Sequence, residues 1–177
     1  MAENQSDVPP PSRGIGGRLK RRRRGGHVEV YHRCRSSAPI WIVPANTVVD
    51  GASIPQAFWS AVGASSTGDY RRASVVHDRY CVTKSEAWKA VYRMFYEDML
   101  AVGVEQPRAP GMYAAVYGGG PRWKRVKMGG LEGNAERLVE ITPPFSEQEY
   151  REIVTWIAID QPSVEEVERR IDAVTND

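Results

Sequence analysis

The residues best suited to chemistry are His77 and Asp78, which lie side by side in the segment SVVHDRYC. A neutral histidine acts as a base near pH 7 when a carboxylate fixes its tautomer. Burying either group is costly without hydrogen-bond partners. Upstream, the segment DGASIP places Asp50 and Ser53 in an apolar, turn-like stretch. These four side chains predict a constructed polar site rather than an ordinary surface.

The element that must position His77 is a helix, predicted from about Tyr70 to Cys81 with Asp69 as its N-cap. The pattern i, i+3, i+4, i+7 and i+8 defines one face of a helix. Here that face carries Ala73, Val76, His77, Tyr80 and Cys81. We therefore expect His77 to point inward with the apolar residues, while Asp78 lies on the flank.

The next helix is predicted to supply an acidic partner. A capping-box pattern at residues 83–86 indicates its start, and Gly103 indicates its end. Asp98 falls on the apolar side of this helix. Asp98 or Asp50 is thus the acid expected to meet His77. Such a hydrogen bond could orient a catalytic base or could simply tie the elements of a core together.

The remaining patterns predict an α+β fold, with a small antiparallel sheet packed on two main helices and an added C-terminal helical pair. Two capping boxes, Ser146 with Glu149 and Ser163 with Glu166, begin that pair, which runs over 146–174. The other predicted elements are strands at 27–34, 39–49 and 137–142, a short helix at 55–62 and a helical segment from residue 112.

Charge divides the chain unevenly. Residues 1–26 hold seven basic and two acidic side chains, a net charge of +5, whereas the remainder has a net charge of −3. The first 26 residues contain too few apolar groups to offset the entropy of ordering, so we expect a flexible basic arm. Residues 27–130 are then the core domain and 131–177 a C-terminal extension. A second basic patch around Trp123 is expected on a surface loop.

Several classes of protein are excluded by composition. No apolar run approaches the roughly 20 residues of a membrane span, and no apolar segment follows the N-terminal charges as a secretion signal requires. Cys34 and Cys81 lie far apart, without a second pair at metal-ligand spacing, so we expect reduced thiols and no metal site built on cysteine.

The middle of the chain resembles the domain-of-unknown-function 1353 family of small phage, prophage and bacterial proteins. The resemblance covers residues 38–123 through the runs VPANTVVDGASIPQAFW, YRRASVVHDRYC and MYAAVYGGGPRW. It implies a phage or prophage origin and no particular activity. The family's motif positions correspond to Asp50, Ser53, Pro55, His77 and Asp78.

The chain departs from the family pattern at one position. Relatives commonly show an Ala-Asp pair three residues before a Phe; Phe95 fits that Phe, but Tyr92 stands at the position of the Asp. Chemistry that depends on this acid is therefore not carried over unless Asp98 replaces it.

Three functional hypotheses follow. The first is an interaction component of a virion or tail assembly, found in the host cytoplasm or the virion, with protein partners and a buried His-Asp site. The second is a small hydrolase that resembles secreted phospholipase A2 in outline, with His77 as base, Asp98 or Asp50 orienting it, and Asp78 binding a metal or positioning substrate.

The third hypothesis is non-specific nucleic-acid binding through residues 18–24, where Lys20, Arg21, Arg22, Arg23 and Arg24 could neutralise phosphates. An acidic protein neighbour would suit the same residues. No motif in the chain specifies a cofactor or a substrate.

Overall fold

The computed structural model describes residues 20–24, 27–31, 41–44, 47, 71–128 and 135–175. Its helices are α1 (Arg71–Thr83), α2 (Trp88–Ala101), α3 (Arg108–Gly119), α4 (Glu147–Asp160) and α5 (Val164–Thr175). Its strands are β1 (Lys20–Arg24), β2 (His27–Tyr31), β3 (Ile42–Pro44), β4 (Arg122–Lys127) and β5 (Glu136–Ile141). The predicted α+β class is confirmed. The short helix expected at 55–62 lies outside the described residues.

The first three strands form an antiparallel sheet in the order β1-β2-β3. Residues 20–24 were expected to belong to a flexible arm, and this expectation is wrong because they pair with β2 as an edge strand. The register places Arg24 opposite His27, so that only Gly25 and Gly26 separate the paired ends in the sequence. A Gly-Gly pair between two strands predicts a hairpin. The prediction gave more weight to the charge of the segment than to this pair.

The sheet meets the helices through β3 and α1. The rings of Trp41 and Tyr80 meet edge to face with centroids 4.6 Å apart, and the backbone N–H of Ile42 donates to the Tyr80 hydroxyl at 3.1 Å. Trp41 and Val43 are buried. Apolar burial and one hydrogen bond therefore fix the sheet against the helix that carries His77.

The capping box expected at 83–86 does not start α2. The Thr83 hydroxyl donates to the carbonyl of Arg79 at 3.0 Å, so Thr83 closes the last turn of α1. Lys84 then turns the chain with a φ of 50°, and the N-cap of α2 is Ala87, which makes no side-chain cap. The predicted end of α2 is confirmed, since Gly103 follows with a φ of 90°, a conformation that favours glycine.

The C-terminal helical pair forms as predicted. Ser146 and Glu149 make a complete capping box, and the Ser163 hydroxyl and backbone N–H both donate to Glu166 at 2.8 Å. The Tyr150 hydroxyl docks α4 on α3 by donating to the carbonyl of Gly111 at 3.2 Å. Each helix therefore satisfies its own first turn before tertiary contacts are added.

Helix α5 docks on α2 and α3 through polar contacts. Arg93 forms ion pairs with Glu165 and Glu168, the latter at 3.0 Å. The Tyr113 hydroxyl donates to Glu168 at 2.5 Å. Beneath these contacts Val167 and Ile171 are buried. The contact surface of α5 is thus an apolar stripe with charged hydrogen bonds along one side.

The basic patch around Trp123 is strand β4, and its expected position on a surface loop is wrong. Trp123 is buried and its indole N–H donates to the carbonyl of Glu86 at 2.8 Å. Arg122 is only 2% exposed; it donates to the carbonyl of Tyr117 at 3.2 Å and lies 4.8 Å from the ring centre of Trp88. Cation–π and hydrogen-bond contacts of this kind allow a guanidinium to be buried.

Among the described residues, no helix is both long and apolar enough to cross a membrane.

Gly120, just after α3, provides a test of this packing. A Cβ added there would collide with the carbonyl oxygen of Val116 and lie 2.5 Å from the Tyr92 hydroxyl oxygen. Because a backbone carbonyl cannot move aside cheaply, we expect Gly120→Ala to lower the free energy of unfolding by about 1–3 kcal/mol. Urea denaturation measures the change.

The matched control is Gly111→Ala, inside α3. A Cβ at that position would make only an ordinary contact with Val154 at 3.9 Å. The control should be neutral or should gain up to about 1 kcal/mol, because alanine is the better helix former. Equal losses in the two variants would contradict the packing described here.

Candidate functional site

Helix α1 brings three functional side chains together in the interior. His77 is 0% exposed, Asp78 2% and Cys81 7%. The Cys81 sulfur lies 3.5 Å from Nε2 of His77, and Oδ1 of Asp78 lies 3.6 Å from Nδ1 of the same ring. The imidazole thus lies beside both a thiol and a carboxylate. We refer to these three side chains as the buried cluster.

The prediction that His77 points inward agrees with this geometry, but Asp78 does not lie on the flank as expected. The acid that pairs with His77 is its own sequence neighbour, drawn into the interior beside the ring. Asp98 is also buried, at 2% exposure, on the apolar face of α2 where it was expected. Asp50 and Ser53, the other predicted site residues, lie outside the described residues.

Cys81 is the site residue that the sequence reasoning missed as a partner. It was assigned to the same helix face as His77 but treated only as an inert buried thiol. Its position four residues after His77 was the available signal, because side chains at i and i+4 of a helix meet. The candidate site therefore includes the Cys81 sulfur, and the acid beside His77 comes from the same helix and not from another element.

The ring of His77 faces aromatic residues of α2. Its centre lies 5.2 Å from that of Tyr92 and 4.8 Å from that of Phe95. Tyr92 stands where the family resemblance led us to expect an Asp, and it lies directly against His77. The Tyr92 hydroxyl donates to the carbonyl of Pro121 at 2.6 Å. Burial raises the pKa of that hydroxyl, which keeps it a donor.

The buried cluster favours a charged imidazole. Burial by itself lowers the pKa of His77, but the Cys81 sulfur and the Asp78 carboxylate outweigh this effect and raise the pKa from 6.5 to about 9. At neutral pH the ring therefore holds both protons. An imidazolium is a donor to its neighbours and cannot accept a proton from water.

Among the described residues, no three or more His, Cys, Asp or Glu side chains are grouped so as to hold a metal ion. The backbone of Lys20–Arg24, the predicted nucleic-acid or partner-binding residues, is strand β1.

Fold and site together define a small α+β domain with a sealed His-Asp-Cys cluster. The profile of the family described as "Protein of unknown function (DUF1353)" matches residues 28–116, half of the chain. The chain belongs to this family, as the sequence resemblance indicated. No solved structure matches it significantly.

Two curated relatives come from Sinorhizobium fredii, and both are named as uncharacterized proteins. The first, y4jT, is 51% identical over 83 residues, which are 47% of this chain and 25% of the relative. The second, y4iH, is 45% identical over 102 residues, which are 58% of this chain and 43% of the relative. The chain thus spans less than half the length of either relative.

The charge of His77 can be measured directly. We expect its ring signals in a pH titration followed by NMR to move with a midpoint near 9, because Cys81 and Asp78 favour the imidazolium. Cys81→Ala and Asp78→Asn should each lower the midpoint, since each removes a neighbour that raises the pKa of His77. His77→Gln assigns the signals by removing them.

The same shift has a consequence for stability with a definite sign. Since the folded pKa lies above the unfolded value of 6.5, the charge of His77 contributes fully below pH 6.5. That contribution is lost as pH rises through about 9. The difference in unfolding free energy between the wild type and His77→Gln should therefore shrink over this interval. A midpoint at or below 6.5, or a constant difference, would contradict the charged cluster.

Proposed function

We propose that this protein is a non-catalytic binding component of a phage or prophage assembly, present in the host cytoplasm or in the virion. The observation that carries the proposal is the complete burial of His77, the residue best suited to catalysis. A side chain with no exposed surface is placed to support the fold. The phage or prophage context comes from the family resemblance of the sequence.

Hydrolysis by His77 is disfavoured on three grounds. A general base must reach its substrate or a water molecule, and His77 is 0% exposed. It must also be neutral, whereas the pKa of His77 is raised to about 9. Finally, α2 presents the rings of Tyr92 and Phe95 to the imidazole. Together these features describe a fixed core element.

The relatives support the idea of a reusable module. The shared region is 83 to 102 residues long, and it makes up a quarter of one relative and 43% of the other. The same block thus occurs in chains of different length. In this chain the buried cluster and the helices α1 and α2 lie within the family match, which suits a structural unit to which binding surfaces are added.

Thiol protection tests whether the cluster is closed. In a Cys34→Ser background, we expect iodoacetamide to label Cys81 at least about 100-fold more slowly in the native protein than in urea, because labelling must await opening of the core. Labelling at the rate of an exposed thiol would show that the cluster lies in an open cleft. That result would favour the hydrolase hypothesis over the proposed function.

Association with particles tests the assembly role. In a strain that carries the chain on an inducible prophage, we expect mass spectrometry to detect it at a fixed copy number in particles purified by density gradient. Deleting its gene should reduce the yield of infectious particles, and a plasmid copy should restore it. Normal particles without the gene would contradict the proposal.

A further inference from the structure

Among the residues whose burial the structure describes, the hairpin of β4 and β5 is an element with most of its surface uncovered. The two strands pair antiparallel over six residues each, from Arg122 opposite Ile141 to Lys127 opposite Glu136. All six residues of β5 are exposed or half-exposed, and so are the last four of β4. A two-stranded ribbon with both faces in water is only marginally stable alone, so it is an element suited to a partner.

The base of this ribbon is held firmly while its outer length stands clear. Arg122 and Trp123 are buried among α2, α3 and α5 and make the hydrogen bonds described above. The next residues, Lys124 and Arg125, are exposed, as is Lys127. Rigid placement at one end reduces the entropy lost when the other end binds.

A groove of about 460 Å³ lies at the foot of the ribbon. It is lined by residues 84–89 on one side and by Trp123, Lys124 and Arg125 on the other. Its lining includes the aromatic residues Trp88 and Trp123, and four basic residues against the single carboxylate of Glu86. Cations beside aromatic rings are the composition that binds phosphates next to unsaturated rings.

The charge of the molecule is segregated toward this side. Residues 84–89, 122–127 and 136–141 carry seven basic and three acidic side chains, a net charge of +4. Helices α4 and α5 carry three basic and eight acidic side chains, a net charge of −5. A polyanion is therefore attracted to the ribbon and repelled by the helical pair.

We propose that the β4–β5 ribbon and its groove bind double-stranded DNA through the phosphate backbone, an inference that rests on the proposed binding function. A two-stranded ribbon fits the major groove of B-DNA, which is about 12 Å wide, and six-residue strands reach about 20 Å. Lys124 and Arg125 contact phosphates, while the groove residues hold the adjoining backbone. The inference is separate from the cations of β1, which lie on the other sheet.

The test compares two matched double variants. Lys124→Ser with Arg125→Ser removes two exposed cations from the ribbon, and Arg151→Ser with Arg169→Ser removes two exposed cations from α4 and α5. Fluorescence anisotropy with a labelled 20-base-pair duplex is measured from 50 to 200 mM salt. Thermal melting checks that both variants remain folded.

The ribbon variant should bind at least about tenfold more weakly at 50 mM salt than the wild type. The slope of log K against log salt should become shallower by about 2, since each lost phosphate contact contributes about 0.9. The control variant should match the wild type in both quantities. Equal behaviour of the two variants would overturn the inference.

Two further arms separate other origins of binding. If Arg21→Gln with Arg23→Gln abolishes duplex binding while the ribbon variant keeps it, β1 is the site and the inference is wrong. If poly-glutamate displaces the duplex at equal charge concentration, the surface prefers acidic protein and the inference is likewise wrong. If the protein is found in particles but does not bind the duplex, the inference of DNA binding by the ribbon is wrong and the proposed function stands. If the protein binds DNA but particles form normally without it, the proposed function is wrong and the inference stands.

Discussion

The arrangement of the core depends on one buried ionic contact, in which the imidazole of His77 lies beside the Cys81 sulfur and the Asp78 carboxylate. Removing a charged ring from water is unfavourable, and here the Asp78 carboxylate and the Cys81 sulfur, both within 4 Å of the ring nitrogens, offset that cost. All three side chains belong to one helix. Helix α2 covers the cluster with the rings of Tyr92 and Phe95.

Contacts between aromatic rings connect the buried cluster to the other elements of the fold. Tyr92 packs on His77 and also on Trp88 and Trp123, which bring in the start of α2 and strand β4. Arg122 then lies over Trp88 and reaches the hydroxyl of Thr175 on α5 at 3.3 Å. A chain of ring and cation–π contacts thus joins the buried cluster to the last helix. The ribbon is fixed in direction by the same contacts that bury its base.

Local patterns in the sequence predicted the helices well, because capping and periodicity act over a few residues. Ser146 and Ser163 cap the helices they were expected to cap, and Gly103 ends α2. The failures arose where a second element decided the outcome. Thr83 had a capping-box pattern, yet its hydroxyl is used by the preceding helix. The prediction for Lys20–Arg24 relied on the charge of these residues, yet they pair with the alternating strand β2.

The candidate site shows the same division. The inward direction of His77 and its contact with Cys81 follow from helical spacing, while the contact with Asp78 depends on side-chain angles that no spacing rule fixes. Asp78 was placed on the flank because a helix turns about 100° per residue. A short carboxylate can still bend toward the neighbouring ring, and it does so here.

The C-terminal boundary of the family match falls inside a helix, α3, whose residues are almost all buried. Residues Ala109–Gly118 are buried throughout, and the family match ends at residue 116, inside this helix. Tyr150 and Glu168, which contact α3 from α4 and α5, lie beyond that match. A fragment cut at the boundary would expose a continuous apolar wall to water. In this chain the matched residues therefore depend on α4 and α5, which lie outside the match, to keep that wall out of water.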